Sequence, residues 1–197
     1  MNPPDNATPG DGGDTRSRIL HAAQRLFRKR GYHATGLNEI LELAQAPKGS
    51  MYHHFPAGKE AIAVCVIEDI TRGLIGLFAQ SRARSTPAML LQVGEQLVSV
   101  AEKTQFEICA LYSSFVAERK TSPMLGEAVS AAYGQMLEAL QARMVRDGIS
   151  VRLAQEKAQL AVAMLEGGSL LAQARQDAQL FRGAVRQAAR ICRTDAS

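Results

Sequence analysis

Seven consecutive residues, Lys48-Gly49-Ser50-Met51-Tyr52-His53-His54, gather side chains suited to gripping a polyanion. Lys48 can reach a guanine edge or a phosphate, and Ser50 can hydrogen-bond to either. Tyr52 couples a ring that suits a thymine methyl to a hydroxyl that can meet a phosphate, and His53 can donate to a phosphate. Gly49 and Ser50 are small, which lets the backbone approach a groove closely. Met51, His54 and Phe55 are read as packing residues of the same segment. The adjacent His53-His54 pair does not read as a metal site, because neighbours on a helix do not converge.

Such a reading segment has to be held by a scaffold, and the flanking periodicity supplies one. Ile19, Ala22, Ala23, Leu26 and Phe27 fall at helical spacing, and Gly31 stops that helix after Arg28-Lys29-Arg30. Leu37, Ile40, Leu41 and Ala44 form a second, short stripe, with Thr35 placed to cap it. Pro47 suits the first position of a third helix, which Phe55-Pro56-Ala57-Gly58 ends. Two short helices joined by a tight turn behind a longer supporting helix make a helix-turn-helix unit. Thr35 and Lys59 then sit at helix starts, where N–H groups favour an anion. Arg16 and Arg18 are placed to grip backbone or minor groove.

The remaining chain continues as helix. The pattern predicts helices from about Lys59 to Arg84, from Thr86-Pro87 onward, and from about Phe106 to Arg119. Ser122-Pro123 opens another to about Arg146, closed by Asp147-Gly148; Ser150 caps one to about Ala174, and the last covers Asp177 to Arg193. The expected fold is all-α, about nine helices with no sheet: residues 15–60 as the helix-turn-helix domain and 61–197 as a helical body. Residues 1–14, with three Pro, three Gly and almost nothing apolar, read as a disordered tail.

Composition agrees with this and removes other classes. Hydrophobic residues make up 46% of the 197 positions, enough to bury a core. The net charge of +4 is mild, but residues 15–59 carry eight bases against only Glu39 and Glu42. The basic excess is therefore local, which marks a polyanion-binding head on a near-neutral body. No uncharged stretch exceeds ten residues, far short of the roughly 20 that a membrane span needs. The N-terminus lacks the apolar core of a signal peptide. Cys65, Cys109 and Cys192 are odd in number and far apart, which fits free thiols in a reduced, cytoplasmic protein.

Taken together, Thr35-Gly36-Leu37-Asn38-Glu39-Ile40-Leu41-Glu42-Leu43-Ala44, Pro47-Lys48-Gly49-Ser50-Met51-Tyr52-His53-His54-Phe55 and Gly58-Lys59-Glu60 closely resemble the DNA-binding domain of TetR-family transcriptional regulators, over residues 15 to about 62. The run from Pro47 to Pro56 looks most like the LmrA/YxaF-like branch, with support from Ser122-Pro123 and from Glu166-Gly167-Gly168-Ser169-Leu170-Leu171. The resemblance implies a repressor that binds a palindromic operator on double-stranded DNA and is released by a small hydrophobic or aromatic ligand. It assigns DNA contacts to Thr35, Lys48, Gly49, Ser50, Tyr52, His53 and Lys59, beside Pro47, Arg16 and Arg18. Gln45 departs from the family, which has Gly in the turn; a left-handed Gln there costs about 1 kcal/mol.

One short reading helix covers few base pairs, so the chain is expected to act as a homodimer. Ala154, Ala158, Ala161, Leu165, Gly168 and Ala172 recur at spacings of four and three, a seam small enough for close helix crossing. The resemblance places the last two helices of each subunit in a four-helix dimer bundle, which extends the expected interface to Ala184 and Ala188. Between head and interface, Ile70, Phe78, Phe106, Cys109, Tyr112, Ser113, Tyr133, Met136 and Met164 are the candidates for an effector pocket, mostly apolar with a few polar handles.

Three rival readings remain beside this one. An all-helical enzyme needs a nucleophile, an acid–base pair or a metal set, and the sequence has no HExxH, CxxC, phosphate loop or Ser/His/Asp spacing. The expectation is therefore no catalytic residue, no metal and no cofactor. A non-specific architectural DNA binder would carry basic charge throughout, whereas residues 60–197 are near neutral. An activator with the same head shares every residue named above.

Overall fold

The computed structural model describes residues 11–106 and 111–194, with the backbone alone for 11–14, 111 and 113. Among the described residues it holds nine α-helices and no strand: α1 Asp11–Arg30, α2 Leu37–Ala44, α3 Lys48–His54, α4 Lys59–Gln80, α5 Thr86–Lys103, α6 Leu111–Val116, α7 Pro123–Arg146, α8 Val151–Arg175 and α9 Ala178–Ile191. A 3-10 turn, Ala117–Lys120, follows α6. The chain divides between Val66 and Ile67 into two compact units, six residues later than the limit expected at residue 60.

In the first unit, the apolar stripes set the packing. Ile19, Ala23 and Phe27 of α1, Ile40 of α2, Met51 of α3, and Phe55 and Ile62 are all buried. Gly31, at φ 78°, ends α1 with its N–H donated to the Phe27 carbonyl at 2.9 Å. α1 starts at Asp11, four residues ahead of the expected Thr15. The remainder of the expected tail lies outside the described residues.

Helix α2 is capped differently from the expectation. Gly36, not Thr35, is the N-cap, and its N–H is donated to the Glu39 carboxylate at 2.9 Å. Glu39 is also bound by Arg30 at 2.6 Å, which together with the backbone bond holds its carboxyl below the usual range. The Thr35 hydroxyl turns back to the Gly31 carbonyl at 2.8 Å.

In the second unit, α8 crosses α9, and α5 and α7 pack beside them. Both close crossings depend on glycine. A Cβ on Gly94 would stand 2.3 Å from a Val185 methyl, and one on Gly168 would stand 2.2 Å from the Ala184 Cβ. Arg182 of α9 bridges Glu95 and Glu102 of α5 at 2.8 and 3.0 Å. At the helix ends, Ser122 accepts from Leu125 N–H at 3.1 Å and Asp177 from Gln179 N–H at 2.8 Å.

Two boundaries differ from the periodic reading. α4 stops at Gln80, and residues 81–85 link it to α5. The helix expected over Phe106–Arg119 does not begin at Phe106. Gln105 and Phe106 are both left-handed, at φ 50° and 62°, and Phe106 N–H returns to the Ala101 carbonyl at 2.7 Å. That closure delivers the Phe106 ring to a buried cluster of Val98, Ala101, Ala172, Ala178, Phe181 and Val185. Burying a ring of this size outweighs the cost of two left-handed residues.

Candidate nucleic-acid interface

Helix α3 has two faces. Met51 and the following Phe55 are fully buried against the unit's core, while Lys48, Gly49, Tyr52 and His53 are exposed and Ser50 half-buried. Tyr52 is 46% exposed, so its ring and hydroxyl are both accessible. Pro47 is the N-cap in extended conformation and leaves the following N–H groups facing out. His54 packs edge-on to Phe55, with ring centroids 6.3 Å apart. The exposed side chains thus combine a cation, a hydroxyl, an imidazole and a glycine on one face of a helix.

The approach between α2 and α3 is set by Gln45. It adopts φ 50°, ψ 43°, with its N–H donated to the Glu42 carbonyl and the Ala46 N–H donated to the Leu41 carbonyl. This is the left-handed closure that favours glycine.

The other expected contact residues serve different ends. Thr35 is fully buried, with its hydroxyl donated to the Gly31 carbonyl. Lys59 Nζ donates to the carbonyls of Tyr32 at 3.2 Å and Thr35 at 3.0 Å, and lies 4.3 Å from the Tyr32 ring centroid. It therefore ties the start of α4 to the loop before α2. Arg16 lies over the Phe55 ring at 5.5 Å, with a guanidinium nitrogen 3.5 Å from the Cys65 sulfur. Arg18 is half-buried and donates to the Thr15 hydroxyl at 3.1 Å.

With this geometry in view, the comparisons with known proteins are direct. Residues 19–64 match the family of bacterial regulatory proteins, tetR family, and residues 87–187 match the LmrA/YxaF-like transcriptional regulator C-terminal domain. The HTH-type transcriptional regulator LmrA of Bacillus subtilis is 35% identical over 162 residues, 81% of this chain and 86% of LmrA. The chain belongs to the TetR family.

Its C-terminal unit is of the LmrA/YxaF-like type, and its function is transcriptional regulation through a DNA-binding helix-turn-helix. The HTH-type transcriptional repressor NemR of Escherichia coli is 44% identical over 55 residues, which is 28% of this chain and 27% of NemR. A TetR transcriptional regulator from Legionella pneumophila shares the fold at TM-score 0.77 and 19% identity, over 93% of this chain and 97% of that one. TetR-family regulators are not enzymes, and no described helix here is long and apolar enough to cross a membrane.

In this TetR-family chain the described members of the expected effector set stand as follows. Tyr112 and Tyr133 pair, with ring centroids 5.5 Å apart. Phe78 lines a separate groove of about 620 Å³ with Ile75, Met89, Val145 and Val151. Ile70 is half-buried and Met136 buried. Phe106 belongs to the apolar cluster described above, and Met164 is 37% exposed on α8. Cys109 and the side chain of Ser113 lie outside the described residues. Thr71, to which the sequence assigns no role, has its hydroxyl 2.7 Å from that of Tyr112, and Glu166 is half-buried on α8. A lone Glu on an otherwise apolar and small helix face was the signal available for Glu166.

The expected dimer seam is also placed differently. Ala154, Ala158, Ala161, Gly168, Ala172 and Ala188 are buried within their own chain, Leu165 packs on the Phe106 cluster, and Ala184 meets Gly168. Small residues there allow α8 to cross α9, so the seam is not a free face. The large apolar side chains exposed on α8 are Val151, Leu160, Met164, Leu170 and Leu171.

Proposed function

We propose that this regulator is a repressor that binds a palindromic operator as a homodimer through α3 and lets go when a small apolar ligand enters its second unit. The observation that carries the reading is the division of α3: Met51 and Phe55 anchor it, leaving Lys48, Gly49, Ser50, Tyr52 and His53 to address the major groove. The likeness of the first unit to NemR, a repressor by name, supports the direction of regulation.

Dimerisation is assigned to the outer face of α8, where Leu160 and Leu171 are each 56% exposed and lie on one side with Met164 and Gly167. A helix face of that character is costly to leave in water, and a second copy of α8 covers it with matching side chains. Ligand and operator then oppose each other reciprocally, with a coupling on the order of 1–3 kcal/mol.

The test is fluorescence anisotropy with duplexes tiled across the DNA upstream of the protein's own gene, followed by footprinting. The expected result is one protected palindrome with half-sites about 34–36 Å apart or somewhat more, bound by a dimer. Equal affinity for every duplex, or a monomer by light scattering at micromolar concentration, would overturn the reading.

A further inference from the structure

Core packing and operator reading leave one side of α1 unused. At about 100° per residue, Ile19, Ala23 and Phe27 fall on one side of the helix, where they are buried and where α1 packs on α2 and α3. Ser17, His21, Arg25 and Lys29 follow one another at four-residue spacing on the opposite side, and all of them are exposed. From Thr15 to Asn38 the chain has no acidic residue. Arg30 is paired with Glu39, but among the described residues His21, Arg25 and Lys29 have no acidic partner.

Like charges four residues apart repel on a helix surface, so Arg25 beside Lys29 costs the folded chain stability until an anion relieves it. The row is polar throughout, and its neighbours Gln24 and Arg28 add no large apolar side chain. A protein partner is held by apolar or aromatic anchors at the centre of an interface, and a membrane by apolar side chains that enter the lipid. Cations and a hydroxyl without such anchors suit the phosphates of a nucleic-acid backbone. From Ser17 to Lys29 the helix rises about 18 Å, a length over which one DNA strand presents about five phosphates.

α1 and α3 turn their buried sides to one core, so the row and the reading face look out of the unit in different directions. We propose that Ser17, His21, Arg25 and Lys29 of α1 form a second, sequence-independent DNA surface, which holds another duplex segment while α3 holds the operator. The inference rests on α3 as the reading helix. Contacts to phosphates carry no sequence information, so this surface takes any duplex. A regulator that holds two stretches of DNA at once can bridge them, or pass from one to the other without entering free solution.

The experiment uses the full chain, saturated with a donor-labelled duplex that carries both operator half-sites, so that every α3 face is occupied. An acceptor-labelled duplex of random sequence is then titrated in at low ionic strength, and energy transfer reports two duplexes on one protein. The expected result is saturable transfer whose log affinity falls with log salt at a slope of about 2–3, as three cations on phosphates require. The triple variant His21→Gln, Arg25→Gln, Lys29→Gln should weaken second-duplex binding by about 10-fold or more and keep operator affinity within about 3-fold of the parent. Gln is a good helix former and the exchange removes like-charge repulsion, so the melting temperature should not fall.

No energy transfer with the parent, or equal transfer with the triple variant, would overturn the inference. Displacement of the acceptor duplex by polyglutamate more readily than by unlabelled duplex would also overturn it, and would assign the row to an acidic protein. Loss of the operator itself in the triple variant, as large as in Lys48→Ala, would show one DNA surface where two are inferred. Parent-like operator binding by Lys48→Ala, with row-dependent transfer intact, would instead remove the α3 reading and spare the second surface.

Discussion

Lys59 donates from Nζ to the carbonyl oxygen of Thr35 at 3.0 Å, and so fixes the first turn of α4 to the residue just before the α2 N-cap. The second bond, to Tyr32, and the ring beneath the ammonium make the tie three-fold. Lys59 thus positions the loop that carries α2. Replacing it with Ala should lower the melting temperature and weaken operator binding, yet leave the slope of log affinity against log salt unchanged. A direct phosphate contact would lower that slope by about 0.9 per contact. Titrations at several salt concentrations separate the two, and a reduced slope would return Lys59 to the DNA surface.

Lys48 and Tyr52 carry the opposite expectation. Both are exposed on α3, and neither supports the core. Lys48→Ala and Tyr52→Ala should each reduce operator affinity by about 5- to 150-fold, the worth of one base contact of roughly 1–3 kcal/mol. Far-ultraviolet circular dichroism should stay at the parent value. Parent-like affinity in Lys48→Ala would mean that α3 does not read the operator.

Gln45 offers a stability test that bears on no contact at all. At φ 50° its Cβ crowds the backbone by about 1–2 kcal/mol, which Gly avoids. Gly also adds freedom to the unfolded chain, a cost of about 0.4–1 kcal/mol. Gln45→Gly should therefore stabilise the first unit by about 0.5–1 kcal/mol in urea denaturation. A fall in the urea midpoint would show that the Gln side chain contributes something its exposure does not suggest.

The same backbone detail explains which helix ends were legible in the sequence. Three closures share one pattern, in which a left-handed Gln (Gln45, Gln105 or Gln176) is followed by an N–H reaching back five residues. Glycine is the sequence signal for a left-handed helix end, and it stands at Gly31 and at Gly148, the latter with a closure of the same form. The end of α7 is accordingly legible to the residue, whereas the Gln105 closure of α5 carries no such signal and the periodicity runs a helix from Phe106 instead. The reading face of α3 was legible because burial follows 3.6-residue spacing there. The small-residue seam was misread because sequence shows that two helices can approach closely, not whether both belong to one chain. Thr71 carries no sequence signal, because it is a single polar residue whose partner Tyr112 is 41 positions away.

The seam and the outer face of α8 make separable predictions. Gly168→Leu places a side chain where Ala184 already stands, so α8 and α9 must part at a cost of about 1–3 kcal/mol or more. That variant should lose helical signal and melt early. Leu171→Glu alters an exposed position and should keep the helical spectrum while shifting the chain to monomer in sedimentation velocity. Operator binding should fall with the dimer in Leu171→Glu. A folded monomeric Gly168→Leu beside a dimeric Leu171→Glu would return the interface to the seam.

Glu166 links folding stability to pH. Burial, the larger influence, raises its carboxyl, and the hydrogen bond from Tyr133 opposes this in part. In the unfolded chain the group titrates near the ordinary value of about 4.3. Below that pH both states hold the proton and burial costs nothing. As pH rises, the unfolded state releases its proton first, so the folded state holds more protons and stability falls until the folded carboxyl has also ionised. The contribution is thus full in acid and is lost as pH passes upward through the raised folded value. Glu166→Gln keeps an acceptor for Tyr133 but cannot ionise, so it should escape that loss. Urea denaturation of parent and variant across the range from about pH 4 to 8 should show a gap that opens in favour of Gln as pH increases. A gap of constant size, or one that opens in favour of Glu, would mean that the carboxylate is compensated in the folded chain.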